Sequence, residues 1–321
     1  MNKRKILGLV ALGASVVLVA LTVVCMLMAV KHFGVGHQPF THSRAEIDAP
    51  ILNVSMKASS TALSICPTEA EEAYVEIYDR ESAAYRISAE NGTLVIEGGG
   101  RRAWYEQLGI FPETPALTLY LPKGMYGDLS VKSSCGEIKV STGFLFRTIT
   151  LQNATGNIQC RASAVERIAI TGSTGHVAVE SLVSETIELC TSTGSMTVSS
   201  VTCTDKISIS AAEGRVEVTD TTCKRFSSTG TSGRLYMKNV IVRRSCSIDR
   251  TSGSLEIDGC DADAIYLVTK GGNVTASWLS PKKFDVSTSG KKDVPATTSG
   301  KRCRVSAGSG NVKMSILGDA E

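Results

Sequence analysis

The chain has 321 residues, of which 42% are hydrophobic, 5% aromatic and 20% charged, and its formal net charge is +3. That balance is too small to drive binding to nucleic acid or to an anionic membrane surface. The scarcity of rings suits a narrow interior filled by Val, Ile and Leu. The charge is uneven, however. Residues 44–100 are acidic, while Lys282, Lys283, Lys291, Lys292, Lys301, Arg302 and Arg304 face only Asp285 and Asp293 near the other end. The first reading of these runs is solvated faces. The second is an attraction between copies, head to tail.

In chain order, residues 1–5, "MNKRK", are expected to be a cytoplasmic tail. Ile6–Val30 comes next without a charge, long enough for a transmembrane helix, which needs about 20 residues. Lys3, Arg4 and Lys5 precede it, and the flank after it holds only Lys31 and, further on, Arg44. The positive-inside rule therefore places the N-terminus in the cytoplasm and the rest outside the cell membrane. Cys25 ends "LTVVC", where Val24 stands in place of the small residue a lipidation site requires. Residues 31–45 read as a Gly/Pro-containing linker. Its His32, His37 and His42 recur every five residues but lack the rigid convergence a metal needs.

Residues 46–130 hold strand patterns such as "ILNVSM", "TALSIC", "YVEIY" and "LTLYLP" without a clean period. They are expected to form irregular first rungs and a cap. "RRAWYEQLGIFPETP" at 101–115, with Trp104 and Tyr105, reads as a surface excursion.

Regularity begins near residue 131 and is expected to run to 317, with 318–321 as a tail. Gly136, Gly156, Gly175, Gly194, Gly214, Gly233, Gly253 and Gly272 each precede the pattern x-apolar-x-apolar, at steps of 20, 19, 19, 20, 19, 20 and 19. Gly310 opens another copy and Gly290 a degenerate one. A second ladder runs through Ile149, Ile168, Ile187, Ile207, Phe226, Cys246, Ile265, Phe284 and Cys303. A third holds Leu182, Val201, Val240, Cys260 and Leu279. Short runs of period two, rich in Ile, Val and Thr, predict half-buried strands. A fixed period over so many copies predicts a solenoid whose repeats pack on their neighbours. The expected fold is an all-β solenoid of 19–20 residues per rung, preceded by the transmembrane helix. A leucine-rich repeat would need a dense Leu frame with a recurring Asn or Cys, and neither is in register. Each glycine is expected at a position with φ > 0 or with no space for a Cβ. Ile187 is expected inward, and His176 on the solvent face.

The apolar N-terminus, "NGTLVIEG", "LTLYLPKG", the repeated S/T-S/T-G units and the tail "FDVSTSGKKDVPATTSGKRCRVSAGSGNVKMSI" together resemble the bacterial DUF4097 family of β-strand-repeat proteins, which carries the label adhesin. The resemblance spans roughly residues 46–317. It implies that the solenoid is a single-stranded right-handed β-helix outside a bacterial membrane. It brings no catalytic residues.

The residues themselves point to no chemistry: catalytic, cofactor-binding and metal-binding residues are all expected to be none. Among ten cysteines there is no C-x-x-C. Cys160, Cys246, Cys260 and Cys303 fall on inward positions, where thiols act as small apolar fillers. Cys203 and Cys223 occupy equivalent places on adjacent rungs, and a disulfide between them is left open. Sugar hydrolysis needs two carboxylates about 5–9.5 Å apart, and the nearest match is Glu217 with Glu256, two rungs apart. The chain is thus expected to be a non-enzymatic cell-surface adhesin or structural module binding through Ser/Thr-rich strand faces. An envelope-stress-linked sensor and a self-assembling scaffold are the alternatives, and a polysaccharide-active enzyme is the least favoured. Expected partners are the membrane, cell-wall glycan or envelope proteins, and a second copy end to end.

Overall fold

The structure, a computed structural model, describes residues 40–80, 83–99, 114–297 and 300–317. The tail 1–5, the apolar segment Ile6–Val30, most of the 31–45 stretch, the excursion with Trp104 and Tyr105, and residues 318–321 lie outside them. By contact the chain divides into two units: residues 1–40 with 80–82, and residues 41–79 with 83–321. The second is a β-solenoid. Among the described residues no helix is long and apolar enough to cross a membrane.

The alternation seen in the sequence becomes alternating burial. Val183–Thr191 and its neighbours Ser163–Thr174 and Thr202–Ala211 stack in parallel, pairing Ile168 with Ile187 and Ile187 with Ile207. All three side chains are fully buried. The glycine strands stack beside them, with Val177 on Met196 and Met196 on Val216. Parallel stacking buries both members of each pair in one continuous apolar column, which the contributions of single rungs could not close alone.

Each rung turns at two corners. At the first, the glycine of one rung lies on the carbonyl of the glycine below. An added Cβ at Gly194 would fall well inside van der Waals distance of the Gly175 oxygen. Gly194 itself does not adopt the left-handed backbone, so close approach, not φ, demands glycine there. The second corner has no constant residue. Ser181, Ser200, Asp220, Asn239 and Gly259 hold φ between 49° and 59° at successive rungs. Ser, Asp, Asn and Gly tolerate this conformation for different reasons, so the corner leaves no single-letter trace. The next residue dives inward: Leu182, Val201, Thr221, Val240 and Cys260 are buried. The third ladder's last member differs. Leu279 is 48% exposed, and Trp278 takes the core position opposite Cys260 after a register shift.

Rung order departs from chain order at both ends. Ile265 pairs with Cys303, and Cys303 pairs with Phe284. The final strand Lys301–Ala307 therefore sits between Leu255–Thr269 and Lys282–Thr288. Val312–Ile316 is likewise inserted between Val274–Trp278 and Lys292–Asp293. The expected sequence Ile265, Phe284, Cys303 is corrected to Ile265, Cys303, Phe284. The beginning mirrors this. Asn53–Ala58 lies between Thr93–Gly98 and Gly124–Cys135, and Ala62–Thr68 between Ala116–Pro122 and Ile138–Val140. Antiparallel strands then cover the early end: Tyr85–Glu90 on Thr93–Gly98, and Ala73–Arg80 on Ala116–Pro122. Phe40–Ile47 pairs with Ala73–Arg80, so strand structure begins within the stretch read as linker.

Candidate interaction surfaces

The parallel stack carries outward side chains into straight columns. One column runs Glu217, Tyr236, Glu256, Thr275 and Lys313, each in register with the next. Lys313 joins it only because the final rung is inserted. Tyr236, Glu256, Thr275 and Lys313, with Asp258 and Ser277, line an open groove of about 350 Å³. Ser277 donates to Asp258 at 2.9 Å and accepts from the Gly259 amide at 2.9 Å, which fixes the groove floor. Arg234 pairs with Glu256 at its edge.

Glu217 and Glu256 flank Tyr236 two rungs apart, as their spacing implies. Arg215 holds Glu217 at 3.0 Å and Arg234 holds Glu256. Each carboxylate thus has its own cation. His176 lies on the outward face but is half-buried, with Nδ1 2.8 Å from Ser195 Oγ. Of the other histidines, His42 packs on Tyr78 with centroids 4.6 Å apart, while His32 and His37 fall outside the described residues.

A second groove, of about 400 Å³, opens on another face. Its floor is small and hydroxylated, with Ala169, Thr171, Ser208, Ser210 and the exposed Cys190. Arg167 and Glu188 pair across its rim. A third, of about 540 Å³, lies near the early end, where Ile47, Ile51 and Tyr126 meet Asp48, Glu71 and Glu72.

The interior thiols form a series of their own. Cys203 and Cys223 stack at equivalent positions and are free, as are the other described cysteines. Burial pushes Cys160, Cys223, Cys260 and Cys303 up to about 12, and Cys246 well above its usual range. Such groups stay protonated and supply neither a nucleophile nor a metal ligand. No group of His, Cys, Asp and Glu among the described residues has the arrangement to hold a metal ion.

The family model described as Toastrack DUF4097 matches residues 51–223 and again 196–321. The chain belongs to the DUF4097 family. Its two overlapping matches fit a repeating fold, in which the motif aligns at more than one offset. Solved structures similar to this DUF4097 chain include three from the genera Bacteroides and Parabacteroides. A candidate adhesin from Parabacteroides distasonis is 11% identical, with 75% of this chain and 98% of that one covered and a TM-score of 0.47. A candidate lipid-binding protein from the same species is 12% identical, with coverage of 85% and 96% and a TM-score of 0.44. A candidate adhesin from Bacteroides fragilis is 10% identical, with coverage of 86% and 98% and a TM-score of 0.41. No curated protein matches the chain.

Proposed function

We propose that this DUF4097 protein is a non-enzymatic, membrane-anchored surface module that binds glycan outside a bacterial cell. In this reading Ile6–Val30 is the anchor, with Lys3, Arg4 and Lys5 on the cytoplasmic side. The coil is right-handed, the sense strongly preferred when parallel strands are joined by crossovers. The observation that carries the reading is the Tyr236 groove. A half-buried tyrosine ring offers apolar area with a polar tip, and Glu256, Asp258, Thr275 and Ser277 add carboxylate and hydroxyl groups on adjoining rungs that can pair with sugar hydroxyls. An open groove with fixed polar groups suits an extended sugar chain, whose rings stack while their hydroxyls pair.

The test uses full-length protein in mild detergent and solubilised cell-wall glycan. Binding is expected to weaken at least tenfold in Tyr236→Ala and to persist in Tyr266→Ala, an exposed tyrosine on a different column. Equal affinity of Tyr236→Ala and the unaltered protein would refute the assignment of this groove.

A further inference from the structure

Three residues before each ladder glycine the chain presents a small residue at the first corner: Thr191, Ala211, Gly230, Thr269 and Ala307. Arg250 is the exception, stacked in register between Gly230 and Thr269. Two residues earlier in each rung runs an apolar column with Ile209, Ile248 and Leu267. Ser228 interrupts that column, in register between Ile209 and Ile248. The two departures meet inside the coil. Arg250 and Ser228 are both fully buried, and Arg250 Nη2 donates to Ser228 Oγ at 3.0 Å. An added Cβ at Gly230 would collide with Arg250 Nη1, so the glycine makes room for the guanidinium.

This guanidinium is short of partners. Nε and Nη1 are buried without a hydrogen-bond acceptor among the described residues, and Ser228 is neutral. Lys282, the other fully buried cation, has Asp261, Ser280 and the Ala262 carbonyl. A buried lysine or carboxyl can shed its charge, but an arginine stays protonated. Burial pushes the Arg250 guanidinium down from its usual value, and no neighbouring charge opposes that shift. An unpaired buried charge is costly, and water satisfies its donors without neutralising it. The corner also lacks an acceptor. Thr191 and Thr269 accept from the Gly194 and Gly272 amides at 3.1 Å. Arg250, a donor only, cannot do the same for Gly253.

We propose that Arg250 holds a small monovalent anion of the halide class inside the coil, beside Ser228. One negative charge balances one guanidinium, and the ion accepts from donors that the protein leaves free. Size narrows the choice. The guanidinium itself takes the space above Gly230, so the added room is the difference between Ser228 and the isoleucines that flank it. That suits an ion of one or a few atoms. Access is short, because the next residue, Thr251, is already exposed at the corner.

The experiment melts full-length protein in mild detergent while chloride replaces gluconate at constant ionic strength. Raising chloride from about 10 to 300 mM is expected to raise the melting temperature by about 2–4 °C, because a ligand held only by the folded state stabilises by mass action. Arg250→Thr places the residue of positions 191 and 269 in the same column, and its melting temperature should not depend on chloride. Arg243→Gln removes an exposed cation elsewhere and should keep the full shift. Crystals of the unaltered protein soaked in bromide give a readout that needs no variant: an anomalous peak is expected beside the Arg250 guanidinium and Ser228 Oγ. The proposal is overturned if chloride leaves the unaltered protein's melting temperature unchanged, which would mean that water alone completes the site. It is also overturned if Arg250→Thr responds to chloride as fully as the unaltered protein, or if no bromide lies beside Arg250.

Discussion

Gly194 lies directly over the carbonyl of Gly175, with no space for a side chain between the two rungs. The obstacle is backbone, which cannot swing aside as a flexible side chain would. Gly194→Ala is therefore expected to cost more than about 2 kcal/mol. Gly271 meets nothing within 4 Å of an added Cβ, so Gly271→Ala should be neutral or stabilising by up to about 0.5 kcal/mol through the unfolded chain. Chemical denaturation of the two variants checks this. Equal midpoints would mean that the glycine ladder is not a stacking constraint.

The inserted final rung predicts an unusual truncation. Deleting residues 300–321 removes the only strands that link Lys282–Thr288 and Lys292–Asp293 to the rest of the sheet among the described residues. Amide exchange should then accelerate across residues 282–297 as well, while residues 145–250 stay protected because coupling is between neighbours. Retained protection at 282–297 would show that this rung docks directly on Leu255–Thr269.

The buried thiols predict alkaline sensitivity. A thiol near 8.5 when unfolded and near 12 when folded stabilises the fold fully below the lower value, and that stability is lost as pH rises toward the higher one. Above pH ~9, each such thiol should remove about 1.4 kcal/mol per pH unit. Urea midpoints in reducing buffer should be level from about pH 7 to 8 and then fall. Cys303→Ala should lower the starting midpoint but flatten the fall, and an unchanged slope would contradict the buried, protonated assignment.

Lys282 supports the jump of the chain over the inserted rung. Its Nζ is fully buried and reaches Asp261, the Ala262 carbonyl at 3.0 Å and Ser280 Oγ at 2.8 Å. Desolvation raises the Asp261 carboxyl, but the hydrogen bonds from Lys282 and Ser280 outweigh it and hold the group below its usual range. Lys282→Met strands a partly buried carboxylate that keeps Ser280, so a loss of about 2–3 kcal/mol is expected. The exposed neighbour change Lys283→Met should shift stability by less than about 0.5 kcal/mol. Thermal melts of the two variants give the comparison.

The legible parts of this fold are those that repeat in the chain. The Ile168, Ile187, Ile207 column and the glycine corner show themselves because one residue type recurs at one spacing. The second corner does not, since Ser200, Asp220 and Gly259 reach the same φ with different side chains. The exchange of the last two rungs is invisible for a deeper reason. Cys303 and Phe284 both present an apolar face to Ile265, so local pattern ranks neither pairing above the other. The Tyr236 groove depends on that exchange, because it brings Lys313 beside Thr275. The third ladder points to Leu279 where Trp278 is buried, because the register shifts by one residue between Ile257 and Cys260.

The exchanged ends change how the molecule responds to force. In a coil wound strictly in chain order, tension on a terminus lifts the outermost strand alone, breaking its hydrogen bonds one after another. Here Lys301–Ala307 is bonded on one side to Leu255–Thr269 and on the other to Lys282–Thr288. A pull on the last residues must slide this strand past two neighbours at once, loading many bonds in parallel. Asn53–Ala58 meets the same double grip at the opposite end. Such a coil resists tearing from its late end in shear, the mechanical property required of a tether between two surfaces that move apart.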